Sequence, residues 1–237
     1  MNVFAALIDL IIPRECHVCG IKLLDNEQFV CNSCQDKLPV TGYEKYWTNK
    51  TKVNSDLNPM EQRFAGQIPL HHACAPFFYT RDSSLATLIH DFKYRGFSNL
   101  AIALGRLGAS RLKDTGFFND IDVLLPVPLH WTKKLRRGYN QTEMIARGIS
   151  DATGIPVSPN LKARKPHRTQ TSLTSRQRID NTKGIFTLQN PETLEGKNVM
   201  VVDDICTTGA TLLSASETIA SALRHNVRIS LFTLGVV

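Results

Sequence analysis

The stretch from Val199 to Leu212 constrains the fold more than any other part of this sequence. It begins with four apolar residues, Val199–Val202, continues with Asp203 and Asp204, and passes through small residues into a segment with helical apolar spacing. An apolar run rich in β-branched residues is typical of a strand buried on both faces, as in parallel sheets. The stretch therefore predicts a strand, an acidic pair, a small-residue loop and a helix, the repeating unit of an α/β fold.

The loop of this unit has the chemistry of a phosphate site. Gly209 allows the backbone to approach an anion closely, and the N–H groups at a helix start attract negative charge. Three threonine hydroxyls add hydrogen-bond donors. Because two adjacent carboxylates would repel a phosphate, we expect them to bind ribose hydroxyls, with Mg²⁺ offsetting the repulsion from further phosphates. The alternative is that the acids merely cap the helix. A Walker-type loop is excluded, since no lysine follows the glycine.

Four of the six cysteines form two C-x-x-C pairs separated by eleven residues. Each pair can supply two adjacent vertices of a tetrahedron, so the spacing predicts a Cys₄ knuckle with a structural Zn²⁺ ion. Rubredoxin-type iron and two disulfides are the alternatives. The chain has no basic start and no small-residue cleavage site of a signal peptide, and the crowded cysteines therefore indicate a cytoplasmic protein. The predicted metal ligands are Cys16, Cys19, Cys31 and Cys34.

The rest of the N-terminal third carries weaker signals. Residues 1–12 have one apolar helical face and predict a short docking helix rather than a membrane anchor. No apolar run in the sequence has the length of a transmembrane helix. Residues 46–76 are polar and irregular, which favours a linker, and His71-His72 is interpreted as a solvated pair rather than a metal site. The predicted division is a knuckle with its helix at 1–45, a linker at 46–76 and a main domain at 77–237.

Two basic stretches match the formal net charge of +7, which favours anionic ligands, either phosphorylated metabolites or nucleic acid. Arg136 and Arg137 follow a predicted strand, at the sheet edge where ligands of α/β folds bind, and this favours a pyrophosphate-binding loop over a solvated face. The second stretch is rich in donors and is expected to be mobile until it closes over a polyphosphate. Its alternative partner is nucleic acid, although it lacks aromatic residues for base stacking. Its donors are Arg164, Arg168, Gln170, Arg176 and Arg178.

The acidic pair and its loop resemble the phosphoribosyl pyrophosphate (PRPP) motif of type I phosphoribosyltransferases. The order of features along nearly the whole chain is similar to the ComF family, which pairs an N-terminal zinc knuckle with a domain of that type. The likeness rests on the two C-x-x-C pairs, the acidic motif and four shorter ones: Pro126–Leu129, Arg137–Gln141, Gln170-x-x-Leu173 and Arg178-x-x-Asn181.

This resemblance implies a fold: a type I phosphoribosyltransferase-like parallel sheet flanked by helices, with a small N-terminal Cys₄ zinc-binding subdomain. It also implies a reaction, in which a nitrogen nucleophile displaces pyrophosphate from C1 of PRPP, driven mainly by positioning and electrostatics. The family name implies a role in DNA uptake and natural transformation, with single-stranded DNA or the uptake machinery as a partner. A non-catalytic PRPP-binding regulator and a single-strand-binding competence factor remain the alternatives.

The resemblance further implies roles for individual residues. Asp203 and Asp204 bind the ribose diol and Mg²⁺, and with Arg137 they form the catalytic set. Arg136 and Arg137 neutralise pyrophosphate. The 5′-phosphate is held by the loop residues Ile205, Cys206, Thr207, Thr208, Gly209, Ala210 and Thr211.

Overall fold

The computed structural model describes residues 13–48, 57–129, 135, 137–164, 184–224 and 226–237. Within them, one sheet has five strands and a second sheet has two. The strands are β1 (Leu70–Cys74), β2 (Phe77–Phe78), β3 (Val123–Pro126), β4 (Leu161–Ala163), β5 (Phe186–Leu188), β6 (Asn198–Cys206) and β7 (Arg228–Val236).

The larger sheet is parallel throughout, in the order β1-β7-β6-β3, and β2 pairs with β7 beyond the end of β1. Strands β4 and β5 form the antiparallel second sheet. Because parallel strands end at the same edge, the carboxyl ends of β3, β6 and β7 lie side by side. The predicted α/β class with a parallel sheet is confirmed.

Helices cover the sheet and also occupy the N-terminal region. Those in the described residues are α1 (Asn32–Asp36), α2 (Lys45–Thr48), α3 (Pro59–Phe64), α4 (Ser84–Tyr94), α5 (Ser98–Lys113), α6 (Gln141–Thr153) and α7 (Ala210–Ala222), with a short 3₁₀ turn at Pro191–Leu194. None of these helices has the length and apolar character that crossing a bilayer requires. The predicted helix at residues 1–12 lies outside the described residues.

Strand β6 is the centre of the core, as its composition predicts. Val199, Met200, Val201 and Val202 are fully buried between β3 and β7. Helix α7 then returns the chain to β7, so β6, α7 and β7 form one βαβ unit. Burial on both faces explains why this run is apolar throughout rather than alternating.

Helices α5 and α6 cross at very short range. A Cβ atom on Gly105 would lie 2.2 Å from the carbonyl oxygen of Ile145, and one on Gly148 would lie 2.0 Å from that of Ile102. No side chain fits at these distances, so only glycine permits this crossing. The close contact fixes α6, whose first residues adjoin the basic loop, against the body of the domain.

Part of the stretch predicted as a linker is folded. Leu70–Cys74 is a strand of the main sheet, and Pro59–Phe64 is a helix with an N-terminal capping box between Asn58 and Glu61. The histidine pair is also not solvated: the His71 and His72 side chains are 19% and 17% exposed. The His72 ring lies 6.0 Å from that of Trp47 and 3.9 Å from that of His71, so the rings pack on the protein and the interpretation as a solvated pair was wrong.

Candidate functional site

The acidic pair lies at the carboxyl end of β6. The strand extends to Cys206, so both acids lie within β6 rather than following it, and Asp203 is paired with Thr233 of β7. The Asp204 carboxylate (Oδ2) lies 2.7 Å from the Nζ atom of Lys93, and each of these two side chains is 17% exposed. The backbone N–H of Asp204 donates to Oδ1 of Asp203 at 2.8 Å. One carboxylate thus has a cation as partner, while the other is held by the backbone.

Asp203 has an unusual proton affinity for a carboxyl group. Burial, together with the neighbouring charge of Asp204, raises its pKa to about 7. The Asp204 N–H and the Lys93 ammonium act in the opposite direction and only partly offset this effect. A carboxyl group whose ionised form lacks solvation gains most from a bound cation or from hydroxyl donors.

The loop after β6 leads directly into the start of a helix. Gly209 is the N-cap of the 13-residue helix α7 and has φ of +80°, a conformation that disfavours other residues. A Cβ atom there would also lie 2.7 Å from Cζ of Phe64. The Thr208 hydroxyl accepts from the Ala210 N–H at 3.4 Å, while Thr207 is exposed. The exposed side of the loop therefore presents threonine side chains and the start of a helix.

Arg63 supports this loop, although no motif in the sequence indicates that contact. Its guanidinium donates to the carbonyl oxygen of Thr207 at 2.5 Å, to Sγ of Cys206 at 3.4 Å and to the carbonyl oxygen of Val237 at 3.2 Å. Arg63 lies in helix α3, and the capping pattern formed by Asn58 and Glu61 is the sequence feature that indicates this helix. It indicates the helix but not the distant loop that Arg63 contacts.

Cys206 is a packed thiol rather than a nucleophile. Burial raises its pKa, and the nearby Arg63 charge only partly opposes this. A buried protonated thiol is unreactive.

Arg137 is connected to the acidic pair indirectly, through helix α4. Its guanidinium carbon lies 5.1 Å from the centre of the Tyr94 ring, and Lys93, the preceding residue on α4, contacts Asp204. The Tyr139 hydroxyl donates to the carbonyl oxygen of Phe92. The end of α4 thus joins the basic loop to the acidic pair. Arg136 lies outside the described residues, so its predicted role stays a prediction.

The second basic stretch joins the two short antiparallel strands. Arg164 follows β4 and is exposed, and its backbone N–H donates to the carbonyl oxygen of Ile185 at 2.6 Å. Residues 165–183 lie outside the described residues. The predicted roles of Arg168, Gln170, Arg176 and Arg178 therefore stay predictions.

The four clustered cysteines meet as the spacing predicts. Their Sγ atoms all lie within 4.8 Å of one another, and all are free thiols. The Sγ atoms of Cys19 and Cys31 are 3.8 Å apart. A tetrahedral ion with bonds of about 2.3 Å to sulfur requires an edge of about 3.8 Å. Backbone N–H groups around Cys16, including that of Cys31, outweigh the effect of burial and lower its pKa to about 6, which favours a thiolate ligand.

A family model described as phosphoribosyl transferase domain matches residues 101–231 of the chain. Competence protein F of Haemophilus influenzae is 31% identical over 138 residues, which are 56% of this chain and 60% of that protein. DNA utilization protein YhgH of Salmonella typhimurium is 30% identical over 138 residues, with the same shares. The match thus spans 60% of the length of these two relatives.

Competence protein ComFC of Bacillus subtilis is 26% identical over 197 residues, which are 80% of this chain and 77% of that protein. Among solved structures, a glutamine PRPP amidotransferase from B. subtilis is 20% identical, and the match covers 60% of this chain and 30% of the amidotransferase chain. Its TM-score of 0.40 is too low to bear on function.

Proposed function

The chain belongs to the phosphoribosyl transferase domain family, and on that premise we propose that it binds PRPP with Mg²⁺ and transfers the phosphoribosyl group to a nitrogen acceptor. Relatives named competence protein F and ComFC confirm the resemblance to the ComF family. Their names, with that of DNA utilization protein YhgH, support a biological role connected with DNA uptake.

The observation that carries this proposal is the position of Asp203 and Asp204 near the end of β6, one short loop before the helix start at Gly209. A ribose 5-phosphate bound there has its phosphate at the loop and its hydroxyls at the carboxylates. Asp203 and Asp204 would hold Mg²⁺, since hard cations prefer oxygen ligands, and the ion would supply positive charge against the pyrophosphate. Arg137 supplies positive charge for the pyrophosphate.

The proposed reaction breaks the bond between C1 of the ribose and the pyrophosphate oxygen, whose electron pair leaves with pyrophosphate. The acceptor nitrogen forms the new bond to C1 and releases its proton to solvent. Positive charge on the sugar ring is stabilised by Asp203 and Asp204, and negative charge on the departing group by Arg137 and Mg²⁺. Preorganised charges of this kind lower the barrier without a covalent intermediate.

The four clustered thiols are proposed to hold one structural Zn²⁺ ion. Tetrahedral thiolate coordination is what zinc prefers, and the Sγ spacing fits it. Four protein ligands leave no open coordination position, so the ion has no part in the chemistry.

The test is Mg²⁺–PRPP binding by the wild type and by an Asp203→Ala, Asp204→Ala double variant. Ligand at a hundred times its Kd stabilises the wild type by about 2.7 kcal/mol, measured as a raised Tm. The double variant is expected to show no shift. Glu192→Ala with Glu195→Ala is the matched control, because it removes two exposed carboxylates elsewhere and should leave the shift intact.

Turnover is tested separately by pyrophosphate release against a panel of nucleobases and amines. Release with one acceptor class identifies the transferase substrate. Binding without any release would instead identify a PRPP-binding regulator. An equal Tm shift in the double variant would show that the acidic pair is not the PRPP site.

A further inference from the structure

The last turn of helix α4 contacts three separate parts of the molecule through four consecutive residues. Asp91 contacts the cysteine knuckle, the Phe92 carbonyl accepts from Tyr139 of the basic loop, and Tyr94 lies beneath Arg137 of the same loop. Lys93 forms the ion pair with Asp204. Any displacement of this turn therefore moves the cation that contacts the acidic pair.

The knuckle contacts this turn through His17, which lies between Cys16 and Cys19. Its Nδ1 atom is 2.7 Å from Oδ2 of Asp91, and the two side chains are 14% and 4% exposed. A carboxylate only accepts hydrogen bonds, so Nδ1 is the donor. A buried carboxylate requires such partners, because an ion without them is poorly tolerated away from water.

The orientation of the His17 ring is fixed on both sides of the contact. Its ring is 4.6 Å from that of Phe97, edge to face, and 5.9 Å from that of Phe29, which belongs to the knuckle. The knuckle and the helices border a groove of about 1020 Å³, with His17 and Asp91 on its wall. At the wall of this groove, the hydrogen bond between His17 and Asp91 connects the cysteine-bearing loop directly to α4.

The other partners of Asp91 hold it less firmly. Arg95 is 3.3 Å from Oδ1 of Asp91 but its side chain is 64% exposed, and His90 is 3.8 Å away with 58% exposure. Exposed partners are mobile and compete with water. His17 is thus the buried partner that sets the position of the Asp91 side chain, and with it the last turn of α4.

We propose that His17 is a positioning residue for the acidic pair: it anchors the last turn of α4 and thereby places Lys93 against Asp204. His17 touches neither the proposed ligand nor its metal. Its effect on affinity rests on the proposed PRPP site, whereas its coupling to the ion pair does not. The state of the cysteine knuckle is in this way transmitted to the sheet edge.

The binding test compares three variants in Mg²⁺–PRPP titration calorimetry. His17→Leu is expected to weaken binding about tenfold, and His17→Gln, whose amide still donates to Asp91, to stay within about threefold of the wild type. His90→Leu is the matched control on the same carboxylate and is expected to bind as the wild type does. Equal affinity for all three variants would overturn the proposed effect on the ligand.

A second test needs no ligand. A double-mutant cycle combines His17→Leu with Lys93→Met and measures the unfolding equilibrium in urea. The two substitutions are expected to be non-additive by at least about fivefold in the unfolding constant, whereas His90→Leu with Lys93→Met is expected to be additive. Additivity in the first cycle would refute the coupling.

The two tests separate the two proposals. A wild-type protein that fails to bind Mg²⁺–PRPP refutes the proposed function, yet the urea cycle still decides whether His17 positions Lys93. A wild type that binds, with an additive cycle, keeps the function and refutes the role of His17.

Discussion

The ionised Asp203 side chain lowers the stability of the unliganded protein. Burial and the Asp204 charge raise its pKa to about 7, whereas an unfolded chain has a value of about 3.9. Between these values the folded protein binds a proton that the unfolded chain has lost. Stability from this group is therefore full below pH of about 4 and is lost as pH rises through about 7.

Asp203→Asn is expected to remove this pH dependence. The variant and the wild type should have similar free energies of unfolding near pH 4 and diverge as pH rises to about 7, by up to about 1.4 kcal/mol per pH unit, with the variant more stable. Urea unfolding from pH 4 to 8 measures the difference. Asp204→Asn is the companion variant. It removes the charge that repels ionised Asp203, so the pKa of Asp203 should fall and the loss of stability should occur at lower pH. Parallel stability curves for wild type and Asp203→Asn would contradict the raised pKa.

Among the structural elements, the cysteine knuckle is a small one, and its buried side chains Leu23, Val30 and Leu38 join the core cluster of the main domain. Its contacts with the sheet are short: the Phe78 N–H donates to the carbonyl oxygen of Pro39 at 2.6 Å, and the Thr41 hydroxyl donates to that of Ala75 at 2.7 Å. A region this small rarely folds without a staple, and a bound zinc contributes on the order of 10–16 kcal/mol of apparent binding energy.

Substitution of all four clustered cysteines by serine is expected to abolish zinc binding and lower the Tm. Protein purified without chelator should contain one equivalent of zinc by elemental analysis, and hydrogen exchange in residues 13–48 should rise in the variant. Cys74→Ala is the control, because this buried cysteine lies in β1 outside the cluster and its loss should leave the zinc content unchanged. A four-serine variant with wild-type Tm would argue against a structural metal.

For the entire chain, the net charge of +7 bears on the nature of its partners. The Arg137 loop, which contacts the same helix end as Lys93, is part of the proposed PRPP site. Charge used for a polyphosphate is not available to DNA while that ligand is bound. DNA contact through the same surface would be electrostatic and independent of sequence.

We expect weak single-stranded DNA binding that falls with salt and is competed by Mg²⁺–PRPP. Fluorescence anisotropy with a labelled oligonucleotide measures both effects. Arg137→Ala should weaken the binding, whereas Arg228→Ala, an exposed arginine at the start of β7 and so at the opposite edge of the sheet, should not. Binding that Mg²⁺–PRPP leaves unchanged would assign DNA to another surface.

Elements whose signals are local can be predicted from the amino-acid sequence without a structure. One short stretch contains the apolar run before Asp203, the glycine after it and the helical spacing beyond. The residue pattern of this stretch therefore predicts β6, the loop and α7. The two C-x-x-C pairs are similarly self-contained, because coordination geometry depends on spacing within each pair.

Which distant residues complete these elements depends on how the folded chain packs. Strand β1 contains two histidines and becomes a strand because β7 offers it a free edge, and no local pattern records that pairing. Lys93 and Arg63 reach Asp204 and the loop across long separations in sequence. Hydrogen bonds and ion pairs of this kind form between groups that the fold brings together, so they depend on the packing of the whole chain and leave no periodicity to find in the sequence.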